Sequence, residues 1–334
     1  MKKTRIGVIG LGTVAQLVHL PNFSKIKNAE VTAVAEIKSH RLLTVADKFN
    51  IPHKYKNYKD LLENSDVDAV IITTPTSQHK EIAIDCLNSK KDVLIEKPIA
   101  RTYTEAKSIV DAAEKNNCKL MVGMNLRYRP DLMLIRTLIN AGEIGQPFYL
   151  KCSWVRRQSS TENWFMKREE AGGGVLLDLG IHLLDVALWL LDNPEVNSVS
   201  TQNYFQSSKN LEDTSLSFIR CSNSSIINLE SSWSLADDKD SFNISVYGSK
   251  GSISTTPFKL YKRIGEENVD LKPTMTESPS QLFKKSYLNE LKSFIGAING
   301  LNPVFSSGEE GMNLLKISET MYKSAEQDKE IKIS

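Results

Sequence analysis

The sequence predicts an α/β protein of two domains, the first of them built on a doubly wound parallel sheet. A chain of 334 residues is too long for one typical hydrophobic core. Over the first 120 residues, short apolar strands alternate with amphipathic helices, as in a parallel sheet with crossover helices. After Gly123 the pattern changes to strands in which apolar and polar residues alternate. We therefore expect the domains to span residues 1–123 and 124–334.

Composition and charge exclude several classes of protein. A net charge of +2 gives no pull toward nucleic acid or anionic membranes. Neither a signal peptide nor a membrane span is expected, because the N-terminal apolar stretch is short and residues 175–191 include three ionisable side chains. The cysteines are scattered without a Cys-x-x-Cys pair, at Cys86, Cys118, Cys152 and Cys221. We therefore expect a cytoplasmic protein with reduced thiols and no metal site.

A glycine-rich turn follows the first predicted strand, residues 5–9. The run from Gly10 to Ala15 reads Gly-Leu-Gly-Thr-Val-Ala, and a helical pattern begins near Thr13. The first glycine permits a tight turn, the second lets the backbone approach a pyrophosphate, and the small third residue lets helix and strand pack closely. The pattern predicts a dinucleotide site at Gly10, Gly12, Thr13 and Val14.

An acidic residue ends the second predicted strand, residues 31–35. Glu36 lies about 25 residues beyond the glycine turn, where a carboxylate can accept hydrogen bonds from the adenosine ribose hydroxyls. A carboxylate repels a 2′-phosphate and so favours NAD over NADP, whereas the nearby Lys38 and Arg41 keep NADP possible. The alternative is a solvated glutamate in a turn.

Two tripeptides end further strands of the predicted parallel sheet, Thr73-Thr74-Pro75 and Glu96-Lys97-Pro98. In open α/β sheets, ligands bind beyond the carboxyl ends of strands, so both tripeptides are expected at the ligand edge. The proline after Lys97 biases it toward an extended backbone and helps to fix its side-chain direction. The alternative is a solvated surface lysine. The strands are predicted at residues 69–73 and 93–95, with helices at 39–49, 59–63, 78–89 and 104–116.

Three glycines lead into the apolar run Val175–Leu191, whose ionisable members are Asp178, His182 and Asp185. On an α-helix these three side chains lie within roughly a 60° arc, because each residue turns about 100°. Leu and Ile fill the rest of the circumference, so the helix is expected to be buried nearly all round. Burying a carboxylate or an imidazole is costly unless it finds a partner. The stripe is either a structural network or an acid/base group aimed into a pocket, and the rest of the chain favours the second.

The second half of the chain shows the alternation of half-buried strands. Helix 130–141 is expected to stop at Gly142, and Ser306 and Glu309 have the spacing of a capping box. Residues 264–280 are polar and predict a mobile loop. Strands are predicted at 148–154, 196–205, 214–221, 225–234, 242–247 and 252–256, and helices at 280–299 and 307–326.

Basic and aromatic residues cluster just before the three glycines. Arginines near a pocket suit a phosphate or carboxylate on a substrate, whereas most such clusters are solvated faces. A tryptophan among them, Trp164, presents its ring either to a sugar face or to the core. The cluster comprises Lys151, Arg156, Arg157, Lys167 and Arg168, with Trp154 and Trp164.

Taken in order, these motifs resemble the Gfo/Idh/MocA oxidoreductases, a family named after glucose–fructose oxidoreductase and inositol dehydrogenase. The resemblance implies an N-terminal Rossmann domain and a C-terminal α/β domain with a large, mostly antiparallel sheet. One departure is Glu36, where many relatives have aspartate. The matching motifs are the glycine turn, Glu36, Thr74-Pro75 with His79, Glu96-Lys97-Pro98, Asn125-Leu126-Arg127-Tyr128 and Gly172-Gly173-Gly174 through His182.

The resemblance also implies which residues serve the site. The catalytic positions are Lys97, Asp178 and His182. A homodimer or homotetramer is expected through the open face of the C-terminal sheet, where apolar residues would otherwise be exposed. The cofactor, NAD or alternatively NADP, is expected to contact Gly10, Gly12, Thr13, Val14, Glu36, Thr73, Thr74, Pro75, His79, Glu96, Lys97 and Asn125. A sugar-like substrate is expected to contact Lys97, Arg127, Arg157, Trp164, Asp178 and His182.

The leading hypothesis is an NAD(P)-dependent dehydrogenase that oxidises a secondary alcohol of a sugar, cyclitol or nucleotide-sugar. His182 is the best candidate for the base because its unperturbed pKa is nearest neutrality. Asp178 could orient the substrate or the imidazole, and Lys97 could hydrogen-bond the reacting oxygen or share the proton relay. Which of Lys97 and His182 accepts the proton stays open. The alternatives are an NAD-dependent glycosidase that oxidises a sugar transiently and a non-catalytic NAD sensor, which would be marked by loss of Lys97 or His182.

Overall fold

The chain divides into two compact units. A computed structural model describes residues 3–156, 162–208, 210–235, 239–264, 267–271 and 277–333. One unit comprises Met1–Asn125 and Lys284–Leu315, and the other comprises Leu126–Phe283 and Lys316–Ser334. The first unit therefore includes a C-terminal segment that a division after residue 123 assigns to the second domain.

The first unit is built on a parallel sheet, as predicted. Its strands are β1 (Thr4–Ile9), β2 (Ala29–Ala35), β3 (His53–Tyr55), β4 (Ala69–Ile72), β5 (Asp92–Glu96) and β6 (Leu120–Gly123). Within the described residues, these six strands lie in the order β3-β2-β1-β4-β5-β6, and every neighbouring pair is parallel. This is the order of a doubly wound dinucleotide-binding sheet. The order reverses between β1 and β4, so the crevice that such folds use for ligands lies beyond the carboxyl ends of these two strands.

Helices connect the strands of this sheet within one residue of the predicted bounds. The sequence analysis did not identify β3 and β6, because runs of three and four residues carry too little periodicity. The first helix begins as a π-helix, in which each turn holds one extra residue. The helical segments are the π-helix Ala15–His19 continued by α1 (Leu20–Phe23), then α2 (Ser39–Lys48), α3 (Tyr58–Asn64), α4 (His79–Asn88) and α5 (Tyr103–Asn116).

The outer edge of β6 is covered by the returning chain. The Val122 amide donates to the Ser306 carbonyl over 2.8 Å, and the Ser306 hydroxyl donates to the Val122 carbonyl over 2.7 Å. The predicted capping box is wrong by one residue, because the Ser306 hydroxyl is engaged with this strand. Ser307 and Glu310 form the reciprocal cap instead: each backbone amide donates to the other's side chain, over 3.0 and 3.2 Å.

The second unit contains a mixed sheet that is mostly antiparallel, as predicted. Its strands are β7 (Pro147–Val155), β8 (Val196–Tyr204), β9 (Thr214–Cys221), β10 (Ile226–Ser232), β11 (Ser241–Gly248), β12 (Gly251–Thr255), β13 (Phe258–Ile264), β14 (Glu267–Leu271) and β15 (Ile331–Lys332). In the described part of the chain, these nine strands lie in the order β14-β13-β12-β11-β7-β10-β9-β8-β15. Every described pair is antiparallel except β7 with β10.

The loop prediction for residues 264–280 is wrong where β13 and β14 pair. Strands at the edge of an antiparallel sheet can face water, so a polar composition does not prevent pairing there. Residues 272–276 lie outside the described part. The remaining helices of the chain are α6 (Pro130–Asn140), α7 (Arg168–Ala171), a π-helix at Leu176–Gly180 continued by α8 (Ile181–Leu190), α9 (Pro279–Ile298) and α10 (Gly308–Gln327).

The apolar helix of the second unit lies in its core. The segment Arg168–Leu190 is long and apolar enough to cross a membrane by length and composition, but its most apolar window is fully buried inside the protein. Every residue of α8 is buried. A Cβ atom on Gly180 would lie 3.2 Å from the Ser231 hydroxyl on β10, so the helix packs closely against the sheet. The segment is thus a core helix of this α/β unit.

Candidate active site

The glycine turn after β1 has the geometry that a dinucleotide requires. Gly10 has φ +88°, and a Cβ atom there would lie 2.9 Å from Thr74 Cγ2. The Thr73 hydroxyl donates to the Gly10 carbonyl over 2.6 Å and ties the turn to the end of β4. At Gly12, by contrast, no heavy atom of the described residues, apart from the glycine and its chain neighbours, lies within 4 Å of where a Cβ would stand, which leaves room for a phosphate to approach the backbone.

The groups around this turn fit a bound nucleotide. Thr13 and Val14 are exposed at the start of the first helix, where free backbone amides favour an anion. Pro75 precedes a short 3-10 helix, Thr76–Gln78. The Thr74 hydroxyl oxygen is buried and has no hydrogen-bond partner among the described residues. A buried polar group of this kind is costly unless a ligand or water satisfies it.

Glu36 holds the glycine turn in place. It is buried, and its Oε2 accepts the Leu11 amide over 3.0 Å while its Oε1 accepts the Lys38 amide over 2.9 Å. Arg41 Nη1 lies 3.5 Å from Oε2. Oε1 keeps a lone pair for a ribose hydroxyl, whereas Oε2 is shared by the Leu11 amide and Arg41. Glu36 can therefore anchor the turn and contact the nucleotide together.

Replacing Glu36 by alanine is expected to weaken NAD binding about tenfold or more, because hydrogen bonds to a charged group are lost. NADP binding should fall much less, since the carboxylate also repels its 2′-phosphate. Fluorescence titrations with NADH and NADPH measure both affinities. Glu30→Ala, an exposed position on the same strand, is the control and should change neither affinity. A wild-type protein that binds NADPH much more tightly than NADH would contradict this role of Glu36.

His79 joins two strand ends and does not reach outward. The ring is 1% exposed, and its Nδ1 and Nε2 lie 2.9 Å from the Pro98 carbonyl and 3.0 Å from the Thr74 carbonyl. Burial lowers the pKa of this imidazole. Because both nitrogens face protein carbonyls, the predicted contact of His79 with the cofactor is corrected to an indirect role: His79 holds the two loops that carry Thr74 and Lys97.

Glu96 and Lys97 lie at the carboxyl end of β5. The peptide bond between Lys97 and Pro98 is cis. Glu96 accepts a hydrogen bond from His19 of the first helix, a partner that the sequence analysis did not identify. Asn125 is buried, and its side-chain amide donates to the Ser286 hydroxyl over 2.9 Å. The structure thus places the predicted cofactor residues of the first unit around the ends of β1, β2, β4, β5 and β6.

Asp178 and His182 lie in the second unit, on the π-helix and on α8. They are 4% and 5% exposed, so both are nearly buried. The Trp233 indole donates to Asp178 Oδ2 over 3.1 Å, and the Trp154 ring centre lies 5.9 Å from that of His182. The sequence analysis did not identify Trp233. Two members of the predicted stripe, Asp178 and His182, therefore each lie next to an aromatic ring.

Further aromatic rings extend from this pair. Trp164 is half-buried and meets Phe165 edge-on, with ring centres 5.6 Å apart. Phe165 in turn lies 5.7 Å from Trp233, the donor to Asp178. Arg157, which was also predicted to bind substrate, lies outside the described residues. Two other members of the basic cluster, Lys167 and Arg168, are exposed and pair with Glu170 and Glu326.

Arg127 is not available to a substrate, which corrects a prediction. Its Nε and Nη2 donate to the two oxygens of Asp185 over 2.8 and 2.6 Å. The two side chains are 2% and 1% exposed. The third residue of the polar stripe is therefore one half of a buried ion pair and has a structural role, separate from Asp178 and His182.

The three glycines before the helix let a buried carboxylate reach the helix start. Glu212 Oε1 accepts the amides of Gly174 and Leu176 over 2.8 and 3.1 Å, and the Tyr322 hydroxyl over 2.7 Å. A Cβ on Gly173 would collide with Tyr322, and one on Gly174 would collide with Glu212. Burial raises the pKa of Glu212 despite these bonds. Glu212 thus satisfies the free amides that begin the helix carrying Asp178 and His182.

Fold and site together define a class of protein. A doubly wound sheet with an open glycine turn and an acidic second-strand end binds a dinucleotide, and the second unit presents a buried acid–imidazole pair. Among the described residues, no group of three or more His, Cys, Asp or Glu side chains could hold a metal ion. The fold and the pair together define a nicotinamide-dependent oxidoreductase.

The chain belongs to the Gfo/Idh/MocA oxidoreductase family. Residues 4–124 match the family's NAD-binding Rossmann fold, and residues 136–333 match its C-terminal alpha/beta domain. NAD is therefore the cofactor of this fold, and its residues around Gly12, Glu36 and Thr74 fit it.

Relatives match along nearly the whole chain. Myo-inositol 2-dehydrogenase of Thermotoga maritima is 27% identical over 341 residues, which cover 98% of each chain. D-glucoside 3-dehydrogenase of Escherichia coli is 25% identical and covers 96% of this chain and 95% of its own. Among solved structures, levoglucosan dehydrogenase in complex with NADH superposes with a TM-score of 0.90 over all of both chains at 20% identity. A probable dehydrogenase from Thermotoga maritima has a TM-score of 0.84 at 26% identity over 98% of both chains.

Proposed function

We propose that the protein is an NAD-dependent dehydrogenase that interconverts a secondary alcohol and a ketone on an uncharged sugar or cyclitol. The observation that carries the proposal is the buried Asp178–His182 pair, set among aromatic rings in a chain of an NAD-binding family. The names of two relatives support it, since they are dehydrogenases of inositol and of glucosides.

The proposed mechanism assigns one task to each polar group. NAD, which the residues around Gly12, Glu36 and Thr74 would hold, would supply the hydride acceptor for the alcohol carbon. His182 takes the hydroxyl proton, and Asp178, held by the Trp233 indole, orients the imidazole or a substrate hydroxyl. Lys97 hydrogen-bonds the reacting oxygen and stabilises the negative charge that develops there, or shares the proton relay. Either Lys97 or His182 can be the group that accepts the proton.

The side chains around the pair favour an uncharged ring as substrate. Trp154, Phe165 and Trp233 are half-buried and offer apolar ring surface next to Asp178 and His182. Flat apolar surface combined with a few polar groups suits the C–H faces and hydroxyls of a sugar or cyclitol. The Arg127 guanidinium, which was expected to contact a sugar-like substrate, is paired with the Asp185 carboxylate. A phosphate at that position would have to compete with Asp185, which favours an uncharged substrate.

We also propose a cytoplasmic homodimer or homotetramer. The cysteines in the chain are free thiols, as in a reducing compartment. One face of the large sheet carries exposed apolar side chains: Leu216 and Phe218 are 39% and 36% exposed on β9, and Tyr149 stacks on Tyr247 with ring centres 5.4 Å apart. Such a face suits a symmetric partner. Light scattering that shows a monomer at micromolar concentration would contradict this assembly.

A dehydrogenase screen tests the proposed activity. Polyols, hexoses, inositols and nucleotide-sugars are offered with NAD, and reduced nicotinamide is followed by its absorbance. We expect turnover with an uncharged sugar or cyclitol. Glycosidase turnover without added cofactor would show the alternative chemistry instead, and NAD binding without turnover of any substrate would favour a sensor.

Cofactor binding is tested separately by thermal unfolding. NAD(H) at about 100 times its dissociation constant should add about 2.7 kcal/mol to the free energy of unfolding. NADP(H) at equal concentration is the matched comparison and should add less. Absence of a shift with either nucleotide would contradict the assignment as a whole.

A further inference from the structure

We propose that His19 is a positioning residue of the dehydrogenase reaction, which holds the Glu96 carboxylate beside Lys97 and acts on the reaction only through these two groups. The inference rests on the proposed function, since it needs Lys97 to serve the reacting oxygen. His19 itself contacts neither the substrate nor the reacting atoms in this proposal. Neither a sequence motif nor a family match assigns this residue a role.

The π-helix gives His19 its position. An α-helix turns about 100° per residue, so one extra residue in a turn rotates the following side chains by about that amount. His19 ends the π-helix Ala15–His19 and is 0% exposed. Its Nε2 lies 2.7 Å from Glu96 Oε1, and its ring meets Tyr287 edge-on with ring centres 6.0 Å apart. Helical turns of this kind often occur at functional sites.

The contact with Glu96 fixes the tautomer of the imidazole. A carboxylate oxygen can only accept, so Nε2 carries the proton and donates it to Glu96 Oε1. The opposite tautomer would place a nitrogen lone pair 2.7 Å from a carboxylate oxygen. Nδ1 is buried and has no hydrogen-bond partner among the residues that the structure describes. His19 therefore has one polar interaction in this part of the chain, and that interaction is with Glu96.

The Glu96 carboxylate, held by His19, also binds the backbone of Lys97. Its Oε2 accepts the Lys97 amide over 3.2 Å and lies 3.2 Å from where a Cβ on Gly123 would stand. The carboxylate is thus held between His19, the strand end of β6 and the backbone of Lys97. A side chain at position 123 would force the Glu96 carboxylate to shift, which explains why a glycine, Gly123, ends β6.

Glu96 stays ionised because these neighbours outweigh its burial. Burial raises the pKa of the carboxyl, but the hydrogen bond from His19 and the charge of Lys97 together hold the pKa below its usual value. The titratable groups that act on Glu96 include His19 on the first helix, Lys97 on its own loop and His79 on α4, and Tyr287 on α9 packs against the His19 ring. Without His19, burial is opposed by Lys97 alone, and the pKa of Glu96 rises.

The test compares His19→Ala with His19→Gln in the full-length protein. Alanine removes the donor, whereas the glutamine amide can place an N–H near the position of imidazole Nε2. Carbon-13 NMR of protein labelled at the glutamate carboxyl carbons follows Glu96, with Glu96→Gln to assign its signal. We expect the titration midpoint of Glu96 to rise by about 1–2 pH units in His19→Ala, the value of one hydrogen bond to a charged group, and to rise less in His19→Gln.

Kinetics on a substrate from the screen supply the second readout. In His19→Ala the acid limb of the pH profile of kcat should move to higher pH together with the Glu96 titration. The Kd of NADH should stay within about threefold of the wild-type value. His53→Ala, an exposed histidine of the same unit, is the control and should leave both profiles unchanged. In a Glu96→Gln background, His19→Ala should have no further effect on the pH profile, so that the double variant resembles Glu96→Gln alone.

The outcomes separate this inference from the proposed function. An unchanged Glu96 titration in folded His19→Ala, with thermal unfolding as the check on folding, overturns the inference, as does a rise in His19→Gln as large as that in His19→Ala. A pH profile of kcat that does not shift although the Glu96 titration shifts also overturns it, because the state of Glu96 would then have no effect on Lys97. A shifted Glu96 titration in a protein that turns over no sugar or cyclitol leaves the coupling intact and removes the proposed function.

Discussion

His182→Ala lowers turnover at least about 100-fold on the substrate found by the screen, because proton transfer by a positioned group is typically worth about 10²–10⁴ in rate. Lys97→Ala has a loss of similar size, since a preorganised donor at a charge-bearing oxygen contributes on the same scale, about 10²–10³. NADH affinity stays near the wild-type value in both variants, because neither side chain is proposed to hold the adenosine half. Steady-state kinetics and NADH fluorescence titrations measure the two effects separately.

The double variant distinguishes a shared site from two independent ones. If Lys97 and His182 act on one oxygen and one proton, the double substitution loses less than the sum of the single losses in free energy. Asp178→Asn tests the third group and should lower turnover while Trp233 can still donate to the remaining oxygen. Near-wild-type turnover of His182→Ala would mean that the polar stripe is structural and that the proposed mechanism fails.

Asp185→Asn destabilises the protein by about 3–5 kcal/mol, because it leaves the Arg127 guanidinium buried without its counter-charge. The two side chains are 1% and 2% exposed and share two charge-assisted hydrogen bonds. Urea denaturation measures the change in the free energy of unfolding. The effect on kcat under folding conditions should be small by comparison, since Asp185 is not proposed to contact the reacting atoms.

A surface pair in the same unit supplies the control for that experiment. Arg136 and Asp192 are 2.7 Å apart, but the Asp192 side chain is 87% exposed. Asp192→Asn should therefore change stability by less than about 1 kcal/mol. The double substitution Arg127→Met with Asp185→Leu should recover much of the loss, because removing both buried charges avoids the penalty of leaving one of them alone. Equal losses for Asp185→Asn and Asp192→Asn would contradict a buried pair.

The repeating patterns of the chain were sufficient to predict the architecture. Apolar runs such as Ala69–Ile72, which alternate with helices that show one apolar face, are typical of the buried strands of a parallel sheet, so this alternation predicted the sheet. The strand His53–Tyr55 could not be found, because it is an edge strand of three residues with no buried member. Where a buried face coincides with a regular repeat of apolar residues, the sequence is sufficient to predict the helix or strand.

The contacts that organise the site could not be predicted in the same way. His19 and Glu96 are 77 residues apart, Arg127 and Asp185 are 58 apart, and Glu212 and Gly174 are 38 apart. No local pattern links such positions, and a helical repeat of 3.6 residues does not reveal a π-turn. Arg127 was predicted to bind substrate from its motif, whereas its partner became visible only when the fold brought Asp185 to it.

The returning segment along β6 has a consequence for biosynthesis. The Ser306 hydroxyl that covers this strand lies 184 residues after its acceptor, Val122. A ribosome that adds about 5–20 residues per second needs roughly 10–40 s to reach it. During that interval the nascent parallel sheet can be complete, but the outer edge of its last strand is open to pairing with another chain. Newly made protein is therefore most prone to aggregate before Ser306 emerges, when a chaperone that shields an open strand edge would help it most.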